Sequence, residues 1–391
     1  MAKIAILYEL LGRSRGGIEA YIYHVTEELL KQGHHVTLFN VQDITPFDAA
    51  PKGAEIITLK QNKKVPFFNF YSKIFSLRSQ LKKNLTGFDL VWARSFTMAL
   101  AAIKIVGKNN VVYINAAPFS FYGQTTFKEK LRNTKGFISV LRTISWEISI
   151  ISAYKLERRA ILNSKNVFLS KARMEETLSF FKLNKNSSKI LIVPPGVNTQ
   201  RFKPKDTYNS IDNTLNLITV SRLVPDKNIQ CVILAVKKLN SFSIPVKLTI
   251  VGEGPYDQSL KNLVLELGIN RIVEFVGRQE NVEEWYQRND LFILPSLYEG
   301  FGSVYIEAMS SGLPCIAISN KSGKYSVAAD EIIDQGINGY LMSENDPDEL
   351  FCYLEKLYRS SELRFEYSKN ARLKAETQYC WENTIIQLFK I

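Results

Sequence analysis

Two cations in the second half of the chain stand where a phosphate group could bind. The apolar run Asn216–Val220 is typical of a β-strand, and Arg222 comes shortly after it. Lys227 follows at the predicted start of a helix. The amino end of a helix attracts anions through its dipole and its free N–H groups, and cationic side chains add charge-assisted hydrogen bonds. The pair predicts a diphosphate site, although two solvated surface cations would give the same pattern, because Arg and Lys are mostly exposed.

A glycine-bearing turn follows the next strand of the second half. The strand Lys247–Val251 runs into Gly252-Glu253-Gly254-Pro255. Glycine permits a tight turn and a close approach of the backbone to a ligand. Taken alone, this pattern favours an ordinary turn between a strand and a helix.

Two carboxylates mark a third loop. Pro295–Gly302 follows the predicted strand Leu291–Leu294, and Ser303 is well suited to cap the helix that comes next. Glu299 lies in the loop and Glu307 lies just over one turn inside the helix, so both side chains can face one cleft. Ionised carboxylates only accept hydrogen bonds and therefore suit the hydroxyl groups of a sugar or a ribose. The simpler alternative is a charge at a helix start plus an exposed glutamate, which the neighbouring glycine, aromatic and small residues disfavour.

These loops need a scaffold of short parallel strands. Each half of the chain alternates strand-sized apolar runs with helical patterns, which is typical of parallel α/β domains. Ligands bind beyond the carboxyl ends of such strands, where the three loops lie. The predicted strands are Lys3–Tyr8, His35–Phe39, Glu55–Leu59, Leu90–Ala93, Val111–Asn115, Val167–Leu169, Ile190–Val193, Asn216–Val220, Lys247–Val251, Val273–Val276, Leu291–Leu294 and Cys315–Ile318. The predicted helices include Gly17–Lys31, Phe70–Lys83, Ile229–Leu239, Tyr256–Leu267, Val282–Asn289 and Ser303–Ser311.

A domain boundary is predicted near residue 196. Pro194-Pro195-Gly196 precedes a polar run from Asn198 to Asn213, and 391 residues exceed one ordinary domain. The expected domains are residues 1–196 and residues 197–376. We expect both to be Rossmann-like α/β domains with doubly wound parallel sheets that face a central cleft.

Composition limits the chemistry that is available. The four cysteines are scattered, and the three histidines lie near the N-terminus, so we expect no disulfide frame, zinc site or histidine triad. The best membrane-helix candidate, Phe137–Tyr154, contains Arg142 and Glu147, so no spanning segment is predicted. The N-terminal apolar run stops at Glu9 and has the form of a strand, not of a signal peptide. These features predict a cytoplasmic protein.

Basic charge belongs to the first half of the chain. Residues 1–200 hold 29 Lys and Arg against 13 Asp and Glu, a net of +16, whereas residues 201–391 have a net of −4. The segments Lys60–Lys83 and Phe119–Arg159 mix cations with aromatic residues, which suits the anionic surface of a membrane. Nucleic acid is disfavoured, because the second half is acidic and no nucleic-acid motif is present. The Lys63–Phe68 loop is the expected contact with the membrane. A helical stripe is expected to pack on the sheet instead: Phe70, Ile74, Leu77 and Leu81.

Taken in order, these motifs resemble glycosyltransferase family 4. The resemblance covers nearly the whole chain and is strongest over residues 190–345. Its specific element is the pair Glu299 and Glu307, separated by seven residues. The other matching pieces are individually modest but agree in order and spacing: Gly16-Gly17-Ile18-Glu19, Pro195-Gly196-Val197-Asn198, Arg222 with Lys227, Gly252-Glu253-Gly254-Pro255, Ala308-Met309 with Gly312-Leu313-Pro314, and Gly339 in the Gln335–Leu341 turn.

The resemblance implies a GT-B fold and transfer of a hexose from a UDP- or GDP-sugar with retention at the anomeric carbon. It also implies that a C-terminal helix, residues 377–391, packs back on the first domain. Arg222 and Lys227 would hold the diphosphate and stabilise the leaving group, Glu299 would face the donor sugar, and Glu307 would bind the ribose hydroxyls. The other implied donor-binding residues are Gly16, Gly17, Gly252, Glu253, Gly277, Arg278, Gly300, Phe301 and Gly302.

One position departs from the family pattern. The family often has a histidine near the acceptor after a strand of the first domain, and Asn115 stands there. Asparagine can hydrogen-bond a hydroxyl but cannot serve as a base, so its acceptor-side role is in doubt. In the mechanism usually proposed for such retaining enzymes the departing phosphate oxygen takes the acceptor proton, so no protein base is required. No metal or other cofactor is expected, because Arg222, Lys227 and the helix dipole already supply positive charge.

The expected acceptor is a glycan, and more specifically a lipid-linked glycan used in surface polysaccharide or lipopolysaccharide assembly. The enzyme would then be peripheral on the cytoplasmic face of the membrane. The alternatives are another GT-B activity, such as a nucleotide-sugar epimerase or a transferase with a soluble acceptor, and a non-catalytic donor-binding subunit. The departure at Asn115 favours the subunit, whereas the intact Arg222, Lys227, Glu299 and Glu307 favour an enzyme.

Overall fold

The chain folds into two units, each built on one parallel sheet. The computed structural model describes residues 1–9, 17–42, 50–60, 69–115, 137–205, 214–321 and 323–391. The first unit consists of Met1–Pro194 and Ile385–Ile391, and the second of Pro195–Thr384. The division therefore lies just before the boundary expected at residue 196, and the C-terminal residues of the first unit begin at Ile385 instead of residue 377.

The first unit contains a doubly wound, seven-stranded sheet. Its strands are β1 (Lys3–Glu9), β2 (His35–Gln42), β3 (Glu55–Lys60), β4 (Leu90–Ala93), β5 (Val111–Asn115), β6 (Lys165–Phe168) and β7 (Ile190–Ile192). Its helices are α1 (Gly17–Lys31), α2 (Asn69–Leu81), α3 (Phe96–Val106), α4 (Phe137–Leu162) and α5 (Lys171–Phe180). The strand order is β3-β2-β1-β4-β5-β6-β7, so the winding direction reverses between β1 and β4. A ligand site is expected at such a reversal.

The central strands of this sheet are continuous apolar runs, as expected for parallel strands that are covered on both faces. Ile4 to Tyr8 of β1 are all buried. Leu77 and Leu81 of α2 lie in the core with Phe70 and Ile74 packed against it, which confirms the predicted stripe.

The C-terminal residues of the first unit close part of its surface. The Phe389 ring stacks on His34 with a centroid separation of 4.9 Å and meets Trp92 edge-on at 6.0 Å. The ammonium of Lys189 donates to the carbonyl of Ile391 at 2.7 Å. The last residues are therefore part of the first unit's packing.

The second unit contains a six-stranded sheet of the same kind. Its strands are β8 (Leu215–Val220), β9 (Val246–Val251), β10 (Val273–Gly277), β11 (Leu291–Leu294), β12 (Cys315–Ile318) and β13 (Gly339–Met342). Its helices are α6 (Ile229–Ser241), α7 (Asp257–Glu266), α8 (Val282–Gln287), α9 (Ser303–Ser310), α10 (Ala329–Ile332), α11 (Pro347–Arg359), α12 (Ser361–Gln378) and α13 (Trp381–Leu388), the last of which runs into the first unit's C-terminal residues. The order β10-β9-β8-β11-β12-β13 reverses between β8 and β11. The two loops that follow these strands therefore meet at the place where a ligand is expected.

Gly339 closes the predicted turn, where it accepts a hydrogen bond from the N–H of Gly336 at 2.9 Å, and it also begins a strand. It begins β13, which pairs with β12 in parallel, Gly339 opposite Cys315. A Cβ atom at this position would come within 1.9 Å of the Cys315 carbonyl oxygen. The glycine is thus explained by the close approach of two strands, which a turn-like sequence does not reveal.

Candidate active site

The loop after β8 carries the two predicted phosphate-binding cations. Leu223 is fully buried and its N–H donates to the carbonyl of Glu253 at 3.0 Å, which anchors the loop to its neighbour. Arg222 projects beside it with an exposed side chain. In the part of the chain that the structure describes, the Arg222 guanidinium has no ion pair or hydrogen bond. It is therefore available to an anionic ligand.

Lys227 is held by the loop that follows β11. Its ammonium donates to Glu299 Oε1 at 2.6 Å and to the Tyr298 carbonyl at 3.2 Å. Each side chain of this ion pair is only 15% exposed. Ser296 adds a hydroxyl that donates to the same Glu299 oxygen at 3.3 Å. The structure thus brings together two of the predicted catalytic residues, which the sequence had placed in separate loops, and Ser296 was not predicted at all.

The backbone of Glu299 is fixed as well. Its N–H donates to the Ser326 carbonyl at 2.9 Å, and the Ser326 N–H donates to Leu297 at 3.0 Å. Leu297 in turn donates to the carbonyl of Asp226 at 2.8 Å, next to Lys227. These bonds join the two loops along their backbones, so the Lys227–Glu299 geometry does not depend on side chains alone.

Gly252 and Gly254 allow the loops after β8 and β9 to touch. Gly252 has a φ of 138°, and a Cβ atom there would lie 1.8 Å from the carbonyl oxygen of Ser221. A Cβ atom on Gly254 would lie 2.2 Å from the carbonyl oxygen of Leu223. In the structure both glycines therefore contact the backbone of the neighbouring loop. The role that the resemblance gives Gly252 in donor binding stays a prediction.

The loops after β9 and β10 also meet at this edge. The N–H of Gly252 donates to the carbonyl of Gly277 at 2.8 Å. The exposed side chains of Arg278 and Glu253 lie 3.8 Å apart. Three predicted donor-binding positions, Glu253, Gly277 and Arg278, are therefore close neighbours beside the loop that carries Arg222.

The start of α9 corrects one prediction. Ser303 is the first helical residue, not the cap, because Gly302 occupies the cap position with a φ of 89° and no side-chain cap bond. A Cβ atom on Gly302 would lie 2.6 Å from the Tyr305 ring. Phe301 is buried, with its ring 6.0 Å from that of Tyr379, while Gly300 is partly exposed. The Phe301 side chain thus belongs to the core, and only its backbone could serve a ligand.

Glu307 faces a different set of groups from Glu299. Its Oε2 accepts a hydrogen bond from the hydroxyl of Tyr286 at 3.2 Å. Burial raises the pKa of Glu307 to about 7, and the Tyr286 hydrogen bond and the charge of Arg201 act in the opposite direction. Glu307 therefore holds its proton to a higher pH than an exposed carboxyl group does. Tyr286 was not among the predicted site residues, and its place just before a strand carried no signal of this contact.

The first unit has its own polar cluster at the reversal between β1 and β4. The carboxylate of Glu9 accepts hydrogen bonds from Lys73, Thr97 and Ser95, the last at 2.9 Å. The sequence analysis did not single out Glu9, whose only signal is its position at the end of β1. These contacts satisfy the carboxylate within the first unit.

Three predicted positions of the first unit have different outcomes. Asn115 is 2% exposed, and its amide donates to Asn166 Oδ1 at 3.3 Å, so the structure shows a buried contact between neighbouring strands. Its acceptor-side role stays a prediction. Gly17 is the first residue of α1, whereas Gly16 lies outside the described residues. The Lys63–Phe68 loop also lies outside them.

The described residues contain neither a metal-binding cluster nor a membrane-spanning helix. Across those ranges, no group of three or more His, Cys, Asp and Glu side chains could hold a metal ion. Within the same part of the chain, no helix is both long and apolar enough to cross a membrane.

Comparisons with known proteins agree with this arrangement. The profile of Glycosyltransferase Family 4 matches residues 15–201, and that of Glycosyl transferases group 1 matches residues 201–374. A protein of Haemophilus influenzae named as an uncharacterized glycosyltransferase is 25% identical over 381 residues, which cover 96% of each chain. The UDP-Gal:alpha-D-GlcNAc-diphosphoundecaprenol alpha-1,3-galactosyltransferase of Escherichia coli is 29% identical over 197 residues, 48% of this chain and 49% of that protein.

A solved structure confirms the expected fold. HepE of Anabaena, in complex with UDP and glucose, matches with a TM-score of 0.73 and 17% identity over 100% of this chain and 99% of its own. At this level of identity the likeness concerns the fold, which is the GT-B arrangement of two Rossmann-like domains. Since the Glycosyltransferase Family 4 profile matches its first half and the Glycosyl transferases group 1 profile matches its second, the chain is a glycosyltransferase similar to those of family 4.

Proposed function

We propose that the chain is a retaining hexosyltransferase that moves a sugar from a UDP- or GDP-sugar to a hydroxyl of a lipid-linked glycan. The observation that carries this proposal is the Lys227–Glu299 pair at the sheet reversal of the second unit. A cation for the phosphate and a carboxylate for the sugar meet there at 2.6 Å. That pairing suits a molecule in which a sugar is joined directly to a diphosphate.

The donor would replace the contact between Lys227 and Glu299 with contacts of its own. In the structure the Lys227 ammonium is bonded to two loop oxygens, the Tyr298 carbonyl and Glu299 Oε1. A diphosphate would draw the ammonium away and release the carboxylate, which could then accept a hydroxyl of the sugar. Arg222 would approach the same diphosphate from the exposed end of its loop. The amino end of α9 would add backbone N–H groups from the Gly300–Gly302 segment.

The reaction itself then needs little from the protein beyond positive charge. The bond between the anomeric carbon and the β-phosphate oxygen breaks, and its electron pair stays on that oxygen. The acceptor oxygen forms a new bond to the anomeric carbon on the same face, and its proton passes to the departing phosphate oxygen. Lys227 and Arg222 stabilise the negative charge that grows on the diphosphate, which is the largest type of catalytic contribution in such reactions. A metal ion has no required part in this scheme.

Two observations support an acceptor at a membrane. One is the name of a relative, and the other is the set of exposed apolar and basic side chains in the first unit. The name of the Escherichia coli relative gives it a diphosphoundecaprenol-linked acceptor. In the first unit, α2 and α4 pack beside each other and expose Tyr71, Phe75, Ile148 and Ile151, with Phe75 74% exposed. Apolar side chains flanked by cations suit an anionic headgroup layer. The neighbouring exposed cations are Arg78, Lys82, Lys83, Lys155 and Arg159. We therefore place the enzyme on the cytoplasmic face of a membrane.

The test of the donor site is Lys227→Met. We expect the release of nucleotide diphosphate from the donor to slow by about 100- to 1000-fold, the scale for loss of one stabiliser of a developing anion. Donors would first be chosen from a panel of UDP- and GDP-sugars by thermal stabilisation, since a ligand at 100 times its dissociation constant adds about 2.7 kcal/mol.

Lys238→Met is the matched control. Lys238 forms an ion pair of nearly the same length, 2.7 Å to Asp348 Oδ1, between α6 and α11. Its removal should leave turnover unchanged, because this pair lies on the surface and exposed pairs contribute little. Near-normal turnover in Lys227→Met would contradict the proposed role of Lys227.

A further inference from the structure

Tyr286 is a fully buried tyrosine on the short helix α8. Its ring meets Phe202 edge-on with a centroid separation of 6.0 Å and Phe292 at 5.9 Å. Aromatic neighbours in this geometry restrict the ring to one orientation. The position of the Tyr286 hydroxyl is therefore set by the core of the second unit.

From this position the hydroxyl reaches two oxygens of α9. Glu307 Oε2 lies 3.2 Å away and the Val304 carbonyl lies 3.4 Å away. A phenol has one proton to donate, and an ionised carboxylate is the stronger acceptor. Burial and the nearby charge of Glu307 hold the pKa of Tyr286 well above its usual value, so the phenol stays a donor at physiological pH.

The surroundings of Glu307 leave one of its oxygens available. Among the residues that the structure describes, the bond from Tyr286 is the only side-chain hydrogen bond that Glu307 makes. The other charged groups that face it are Glu283 on α8 and Arg201 in the segment before β8, and these two pair with each other at 2.8 Å. The pKa of Glu307 is raised to about 7: burial raises it most, Tyr286 and Arg201 oppose this, and Glu283 adds a small rise.

We infer that Tyr286 is a positioning residue for the donor: it holds Oε2 of Glu307, so that Oε1 accepts the ribose hydroxyls of the nucleotide. The inference rests on the proposed function, because it requires a nucleotide at this site. It explains why a buried hydroxyl is aimed at the carboxylate that the sequence assigns to the ribose.

Tyr286→Phe tests this inference because it removes the hydroxyl and keeps the ring. The dissociation constants of UDP and GDP would be measured by calorimetry from pH 6 to pH 8.5, as would that of the 2′,3′-dideoxy form of whichever nucleotide binds. We expect the ribonucleotide to bind about 3- to 10-fold more weakly in the variant, the scale for one ordinary hydrogen bond. The KM for the sugar donor should rise by the same factor, with kcat changed by less than about twofold.

The pH profile gives a readout that a merely structural role would not change. A protonated Glu307 accepts hydroxyls poorly, so ribonucleotide affinity should fall as the pH drops through the pKa of Glu307. Without the Tyr286 hydroxyl that pKa rises, and the fall should occur at a higher pH in the variant. The dideoxynucleotide should bind wild type and variant equally well, because it lacks the hydroxyls that Glu307 accepts.

Tyr367→Phe is the matched control. Tyr367 is also buried in the second unit, and its hydroxyl contacts that of Tyr340 at 3.1 Å. The Tyr367→Phe variant should bind both the ribonucleotide and the dideoxynucleotide as wild type does. If Tyr286→Phe keeps wild-type affinity and pH midpoint, or weakens the dideoxynucleotide equally, the positioning role is refuted while the donor site stands. If wild type binds neither UDP nor GDP, the proposed function fails and this inference fails with it.

Discussion

Substitution of Gly252 by alanine should damage the second unit more than its small size suggests. The new Cβ atom would lie 1.8 Å from the carbonyl oxygen of Ser221, where real Cβ atoms essentially never come closer than 3.0 Å. The obstructing atom belongs to the backbone, so a side-chain rotation cannot relieve the overlap. The loop that carries Arg222 or the turn at Gly252 must move by more than 1 Å.

The size of the effect follows from two terms. Forced displacement in a packed region costs about 1–3 kcal/mol, and an alanine at a φ of 138° adds about 1–3 kcal/mol. The stiffer unfolded chain offsets about 0.4–1 kcal/mol. We expect the free energy of unfolding to fall by about 1–5.5 kcal/mol in total. For a domain of this size each kcal/mol lowers the melting temperature by about 2–4 °C.

Gly268→Ala separates the two terms. Gly268 also has a positive φ, 66°, but an added Cβ atom would meet nothing within 4 Å. The free energy of unfolding of Gly268→Ala should fall by only about 1 kcal/mol, which is the backbone strain alone. Thermal unfolding followed by circular dichroism would compare the variants, with donor turnover measured below the transition. Melting temperatures within about 1 °C of each other would refute the argument from the Ser221 contact.

Three further predictions concern the proposed activity. Arg222→Ala should lower donor turnover by about 100- to 1000-fold with little change in melting temperature, because its side chain is exposed, and near-normal turnover would remove it from the mechanism. Turnover should persist in excess chelator. If the chelator abolishes turnover and added metal restores it, then Arg222 and Lys227 do not supply the positive charge that the diphosphate needs. Wild type should sediment with anionic vesicles and be released as salt rises, since exposed charges are screened over about 10 Å at 0.1 M ionic strength. The double variant Lys82→Glu/Lys83→Glu should bind these vesicles at least tenfold more weakly, at about 1 kcal/mol for each charge lost, whereas Lys247→Glu/Arg271→Glu in the second unit should not; equal binding by both would favour a soluble acceptor.

Much of the fold could be predicted because parallel strands buried on both faces are continuous apolar runs. Leu291–Leu294 and Cys315–Ile318 have the bounds that the sequence indicated. Gly339–Met342 was missed because its glycine suggested a turn, and the close approach to Cys315 that requires the glycine is a tertiary contact.

The sequence predicts which loops form the candidate site, but not which side chains of those loops contact each other. The ends of strands can be placed from sequence, but the neighbours of a side chain depend on strand order. Lys227 and Glu299 meet because β8 and β11 are adjacent, although β9 and β10 separate them along the chain. The contact between Tyr286 and Glu307 likewise depends on how two helices pack, and no local spacing encodes it.

The membership of Ile385–Ile391 in the first unit has a consequence for biosynthesis. These residues leave the ribosome after the whole of Pro195–Thr384 has been made, so the first unit cannot complete its packing when its own strands emerge. Until then the surfaces of His34 and Trp92 that receive Phe389 stay uncovered. A nascent chain generally folds its N-terminal domain first. Here the first unit cannot finish its packing until Ile385–Ile391 have been made, and a chain that stops at Thr384 would carry an incomplete first unit however well its second unit folds.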